Sequence, residues 1–220
     1  MSFQAGNPSR TLGAFIVVVW LLGLTVSNNA IAGSFNAVSD FSLASNPNVV
    51  WSYGYQSAFG PSLTLYTATD SSPGVYSAWL VSGTPYYAHP PYVTRNDTNG
   101  NLCRGTFCVP KASLHLHPDS TCAYSVVRFT APASGTYKIK GDFAGIDSSG
   151  PAMGRVRNVY VVCNGTVVFT STINSYLVLV PFTLTCTLAV GQALDFAVGC
   201  GDGNYDYDST ALRCKVYGGP

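Results

Sequence analysis

The sequence contains no glutamate, and all ten of its acidic residues are aspartate. Glutamate is a standard helix former and the usual partner of lysine along coiled coils. Its absence argues against a helical bundle and against coiled coil. Charge of either sign is scarce. Charged residues are 10% of the chain, against about 25% in an ordinary soluble domain. A formal net charge of +1 gives no electrostatic basis for nucleic-acid binding. No CxxC pair occurs, which weakens any zinc reading of the cysteines. There is no G-x-S-x-G elbow and no H-E-x-x-H helix. The glycine-rich run Gly199-Cys200-Gly201-Asp202-Gly203 lacks the Lys-Ser/Thr that a phosphate loop requires. With no Glu to serve as acid, and no Asp pair set apart from the loop acids, glycoside hydrolysis has little to build on. No internal repeat and no linker divides the chain.

Apolar residues make up 47% of the 220, which argues against disorder. The first of them form an export signal. Arg10 precedes an apolar segment from Leu12 to Val26, and Ala30-Ile31-Ala32 follows before Gly33. A basic start, a short apolar stretch and an A-x-A exit form the pattern of a secretory signal peptide. The run is shorter than the ~20 residues of a membrane span, and no second long apolar run follows. The expected organisation is a signal peptide over 1–32 and one β-sandwich domain over 33–220, secreted and free of the membrane after cleavage.

All seven cysteines lie in the exported part, where disulfides are the first expectation. Cys103 and Cys108 can close a local loop. Cys200 and Cys214 flank a polar loop and are expected to staple its two strands. Cys163 and Cys186 sit on apolar faces of strand-like runs and make a third expected pair. Cys122 is then left free, or available for a disulfide-linked dimer. Six cysteines alone allow 15 pairings, so spacing does not fix connectivity.

Short runs rich in β-branched and aromatic residues recur between Gly, Pro, Asn and Ser clusters. Strands are expected at Val49–Tyr55, Leu63–Tyr66, Tyr76–Val81, Ser113–His117, Ser125–Thr130, Gly135–Phe143, Val156–Cys163, Val167–Ile173, Tyr176–Leu188, Ala193–Val198 and Ala211–Val216. Phe182, Leu184, Cys186 and Leu188 alternate with Thr183, Thr185 and Thr187, so one face is apolar and the other polar. Asn164-Gly165 between two such runs is a hairpin signal. The expected fold class is all-β, an antiparallel two-sheet sandwich of jelly-roll, galactose-binding-like type. Residues 85–101 read as a long surface loop.

Phe41-Ser42-Leu43-Ala44-Ser45-Asn46-Pro47-Asn48, followed by Trp51-Ser52-Tyr53-Gly54-Tyr55, resembles the opening of a family of exported bacterial β-sandwich proteins. Many members carry a PEP-type C-terminal sorting tail. The likeness continues through Leu116-His117-Pro118, the Val126–Pro132 segment, Gly135-Thr136-Tyr137, Gly141-Asp142-Phe143, the Leu194–Gly199 segment and Gly203-Asn204-Tyr205. It covers most of the exported part and implies a carbohydrate-binding-module-like sandwich, with His117 in a recurrent His-Pro turn. Two departures stand out. The sequence ends Gly218-Gly219-Pro220 without such a tail, and it carries more cysteines than the family pattern.

Asp202, Asn204, Asp206 and Asp208 place oxygens at every second residue of a Gly-rich loop, which fits a structural calcium. The competing reading is a polar strand edge. The EF-hand pattern fails here, since Tyr207 and Arg213 occupy the positions that need Gly and Glu. His115 and His117 share a strand face without an identifiable third ligand. Trp79, Tyr86, Tyr87 and Tyr92 are expected in or near loops, where flat rings can stack on sugars. Asn96 and Asn164 begin N-glycosylation triplets. The leading expectation is a secreted, non-catalytic protein that binds carbohydrate or a cell-surface or matrix partner. The alternatives are a disulfide-stabilised structural or adhesive matrix protein and a glycan-directed hydrolase.

Overall fold

A computed structural model describes residues 1–2 and 33–219. The expected signal peptide lies, but for its first two residues, outside the described residues. The strands in chain order are β1 Gly33–Asn36, β2 Trp51–Gln56, β3 Thr64–Leu65, β4 Ala68–Ser72, β5 Tyr76–Leu80, β6 Tyr92–Asn96, β7 Leu102–Arg104 and β8 Phe107–Val109. They continue as β9 Leu114–His117, β10 Tyr124–Thr130, β11 Gly135–Gly145, β12 Arg157–Cys163, β13 Thr166–Ile173, β14 Leu179–Leu188, β15 Ala193–Cys200 and β16 Thr210–Gly218. One helical turn, α1 Ser149–Ala152, and a 3-10 turn at Tyr86–Ala88 complete the elements. None of these helices is long and apolar enough to cross a membrane.

The strands form an antiparallel two-sheet sandwich of jelly-roll type. The larger sheet runs β14-β11-β16-β9-β6-β5-β4, with β1 beside β16. The smaller runs β13-β12-β15-β10-β2-β3. From β9 onward the chain passes repeatedly from one sheet to the other. Period-two alternation therefore gives each strand one face toward the opposite sheet. Trp51 and Phe129 of the smaller sheet meet Tyr137 of the larger at one end of the core, with ring centroids 5.4–5.5 Å apart. Phe143 and Phe182 of the larger sheet meet Phe169 and Phe196 at the other. Each such ring removed from water stabilises by about 1.5–3 kcal/mol. Trp51 is fully buried, so it is a core residue rather than part of a sugar-facing surface.

The Asn164-Gly165 turn joins β12 to β13 with φ of 47° and 80°, the doubly positive geometry of a type I′ hairpin. The stretch 85–101 departs from expectation. Its middle is β6, which lies between β5 and β9 inside the larger sheet.

Three disulfides form within the chain: Cys103–Cys108, Cys163–Cys186 and Cys122–Cys200. The first joins paired positions of the β7–β8 hairpin, and the second ties β12 to β14 across the two sheets. The expected Cys200–Cys214 staple is corrected. Cys200 ends β15 in the smaller sheet, while Cys214 faces the core from β16 in the larger one. The antiparallel register of β10 on β15 instead brings Cys122 beside Cys200. Cys122 is therefore neither free nor available to link two chains, and Cys214 is the free, buried thiol. Burial holds its thiol well above its ordinary pKa, which keeps the unreactive protonated form. The prediction is that native protein shows no reaction with a thiol reagent at pH 8. After denaturation without reductant it should show one thiol per chain.

Candidate functional site

The two faces of the larger sheet meet different fates. Its inner face is core. Half of its outer face, over β4, β5, β6 and β9, is also covered. Tyr86 of the 3-10 turn packs on Ala78, Leu80 and Tyr92. The β7–β8 hairpin brings Leu102, Phe107 and Val109 onto Ala144, Ile146 and Ala211. The rest of it, over β14 and over β11 and β16 beyond Ala144 and Ala211, carries no such cover among the described residues.

This uncovered half is a polar grid set by strand register. Lys138 stands between Thr185 and Tyr217, Lys140 between Thr183 and Lys215, and Asp142 between Pro181 and Arg213. β1 extends two of these rows, with Ser34 beside Tyr217 and Asn36 beside Lys215. Thr136 and Thr187 share a hydrogen bond of 3.0 Å at one end. At the other end, Arg213 Nε donates to Asp142 at 2.9 Å. Gly141 lies on the inward side of β11, where the Phe182 ring and the Arg213 carbonyl leave no room for a Cβ. That close approach seats the ring under the grid.

The lower rows of the grid floor a trough of about 1010 Å³. One wall is the 96–99 and 111–112 segments, and the facing wall is the turn after β1. Asn96 builds the first wall. Its buried Nδ2 donates to the carbonyls of Gly100, Val109 and Pro110 at 2.9–3.1 Å. Its Oδ1 accepts from Thr98. The glycosylation expectation at Asn96 is corrected accordingly, because a sugar on that buried nitrogen would take one of its two donor hydrogens and crowd the three carbonyls packed around it. Asn164 is exposed on its hairpin. Beside the trough, Arg95 pairs with Asp97 and lies over the Phe41 ring at 5.4 Å. The trough residues were not among the expected site residues. The pattern that marks them is legible in Lys138-Ile139-Lys140 and Arg213-Cys214-Lys215, where an apolar residue separates two cations.

A smaller cleft of about 390 Å³ lies at one end of the sandwich, lined by Tyr55, His89, Asp119 and Tyr205 among others.

The loop aromatics are corrected. Trp79 is buried in the main core and its indole N–H donates to the Ser42 carbonyl at 2.8 Å. Tyr86 and Tyr92 are buried in the covered half of the outer face. Of the four, only Tyr87 retains surface, and Arg104 lies 3.9 Å over its ring.

The polar loop does not gather its oxygens at one point. Asp202 Oδ1 accepts from Asn204 N at 3.0 Å, and Asn204 Oδ1 from Asp206 N at 2.7 Å, so these are local turns. Asp208 points the other way, into the protein. Among the described residues no group of three His, Cys, Asp or Glu is arranged to hold a metal ion. His115 and His117 do share a face, but beneath the cover. His115 Nε2 lies 3.3 Å from the Tyr92 hydroxyl, and His117 Nδ1 donates to the Pro118 carbonyl at 2.7 Å. Burial lowers both imidazole pKa values.

No protein-family model and no curated protein matches the chain. Solved structures similar to it include a family 35 carbohydrate-binding module from Clostridium thermocellum. That match has 16% identity, covers 54% of this chain and 81% of that one, and has a TM-score of 0.32. A CBM35 from Cellvibrio japonicus Abf62 matches at 13% identity over 86% of this chain and 95% of that one, with a TM-score of 0.33. The CBM51-2 and INT domains of Clostridium perfringens ZmpB, solved with GlcNAc, match at 9% identity over 70% and 40%, with a TM-score of 0.34.

Asp208 yields a pH prediction. Both its carboxylate oxygens are buried without a hydrogen-bond partner, and Arg157 Nε lies 3.9 Å away, beyond hydrogen-bonding range. Burial pushes the carboxyl up to about 8, against the opposing pull of Arg157. The folded state therefore holds this proton more tightly than the unfolded state does. That contribution is full below the ordinary carboxylate range and is lost as pH rises through about 8. Between pH 7.5 and 8.5 both histidines are largely neutral in either state, so they do not mask it. Stability should fall across that window by on the order of 1 kcal/mol. Asp208→Asn should flatten the fall, read by urea denaturation at each pH.

Proposed function

We propose that this protein is a non-catalytic carbohydrate-binding protein and that the uncovered outer face of the larger sheet is its binding surface. The observation that carries this reading is the contrast within one sheet. Aromatic and apolar residues from two separate segments seal half of the outer face, while the other half is an open floor of hydroxyls, cations and one tyrosine ring. Hydroxyl and ammonium groups hydrogen-bond sugar hydroxyls, and the Tyr217 ring offers an apolar face for a sugar ring. A floor along three long strands suits an extended chain better than a small molecule. Carbohydrate is also what the similar solved structures are named for, and the reading does not rest on that likeness.

The reading includes an extracellular setting. The sequence pattern of residues 1–32 supports it, as do three disulfides within the chain, since disulfides persist where the surroundings are oxidising.

A second reading, a structural or adhesive matrix component, is favoured by one feature. The turn at 176–179 exposes Tyr176, Leu177, Val178 and Leu179 in succession. Concentration-dependent self-association in sedimentation, lost on Val178→Asp, would support that reading.

The test of the first reading is retention in native gels containing soluble polysaccharides, with reducing-sugar release measured in parallel. The expected outcome is retention by at least one polysaccharide with no release. Tyr217→Ala and Arg213→Ala should each weaken it about tenfold. Retention lost instead on changing Tyr55 or Tyr205 would move the site to the end cleft and overturn the assignment.

A further inference from the structure

The charges of the trough are not those the fold needs. Five ion pairs occur among the described residues, and every one uses arginine. The four lysines of the chain, Lys111, Lys138, Lys140 and Lys215, are all exposed and take part in none. Three of them, Lys111, Lys140 and Lys215, line one trough, and Lys138 stands one row further along the same floor. The two acids of the trough are already engaged, Asp97 with Arg95 and Asp142 with Arg213. Its lysines are therefore uncompensated, in a protein whose described residues carry as many aspartates as lysines and arginines.

Lys140 and Lys215 are direct cross-strand partners. Such positions bring side chains to about 5 Å at Cβ, and like charges there destabilise a sheet. Lys138 precedes Lys140 on the same face at about 7 Å, two residues of rise. Solubility does not account for the arrangement, because lysines spread over the surface would serve it equally without this repulsion. A ligand that brings negative charge does account for it, by turning a repulsive row into a set of ion pairs.

We propose that the trough and adjoining grid bind an acidic polysaccharide, a chain bearing carboxylate or sulfate groups at intervals. This inference rests on the carbohydrate-binding reading and narrows its ligand class. Thr183, Thr185 and Thr187 flank the lysine row and present hydroxyls at the same two-residue period. Tyr217 shares a row with Lys138. Hydroxyls and a ring beside ammonium groups match a chain of sugar rings that carries anions, and they set this surface apart from a simple cationic patch.

The experiment uses the disulfide-intact protein in gels and on sensor surfaces with four polymers: polygalacturonate, chondroitin sulfate, a neutral glucan and double-stranded DNA. The expected result is retention by polygalacturonate or chondroitin sulfate, at least tenfold stronger than by the neutral glucan or the DNA. Raising salt from 20 to 200 mM should weaken it at least tenfold. Polygalacturonate carries carboxylate alone and chondroitin sulfate carries both carboxylate and sulfate, so retention by polygalacturonate shows that carboxylate suffices. The Lys140→Ala/Lys215→Ala double variant should lose at least tenfold in affinity while its melting temperature stays equal or rises. Arg104→Ala, remote from the trough, should bind as wild type does. Binding to the neutral glucan alone, indifferent to salt and to the lysine changes, would overturn this inference and leave the carbohydrate reading standing. DNA bound as tightly as the acidic polysaccharides would overturn it in favour of unselective polyanion binding. Retention by no polysaccharide at all would overturn both.

Discussion

Each strand of this sandwich has two faces, and only one of them can look into the space between the sheets. The rest of the structure depends on how the other face is handled. In the larger sheet the inner face is filled by Tyr137, Ile139, Phe143, Leu212, Cys214 and Val216. Its outer face is treated in two ways. Where β6 and β9 bring Tyr92, Thr94, His115 and His117 outward, the chain folds a 3-10 turn and a disulfide-closed hairpin over them. Where β11, β14 and β16 bring lysine, threonine, aspartate and arginine outward, none of the described residues covers them.

The cover has an electrostatic consequence. His115 and His117 lie out of water beneath it, as Arg157 and Asp208 do elsewhere in the fold, and several of their polar atoms lack partners. A buried charge must be compensated or it titrates away from its ordinary range. Asp208 and the two histidines are displaced in opposite directions for that one reason. Gly145 and Gly150 leave the space that the Arg157 guanidinium occupies, and Arg157 in turn donates to the Tyr207 carbonyl at 2.7 Å. The polar loop is thereby held from beneath, and its acids face either solvent or the interior rather than one another.

Much of the sandwich was legible from alternation. The run from Phe182 to Leu188 and the hairpin at Asn164-Gly165 follow directly from residue order. β6 was not legible, because two prolines precede it and Asn96-Asp97 close it, so a buried central strand looks like a surface loop. The same misreading placed Tyr86 and Tyr92 in solvent. Their burial depends on a 3-10 turn and a hairpin folding back over the sheet, a tertiary event that no local pattern encodes. The cysteine pairing failed for a related reason. Closeness in sequence between Cys200 and Cys214 conceals a change of sheet, while the register of β10 on β15 joins residues 78 apart in sequence. The lysine row was present as a cation, an apolar residue and a cation on two strands. Its meaning required knowing that β11 and β16 are neighbours.

The central claim is one of place: recognition occurs on the bare strands of the larger sheet rather than at its loops. Backbone amide chemical shifts followed during titration with a retained polysaccharide test it most directly. The account predicts that the largest shifts cluster on residues 138–142, 183–187 and 213–217. Shifts confined to residues 81–91, 119–120 and 205, around the end cleft, would contradict it.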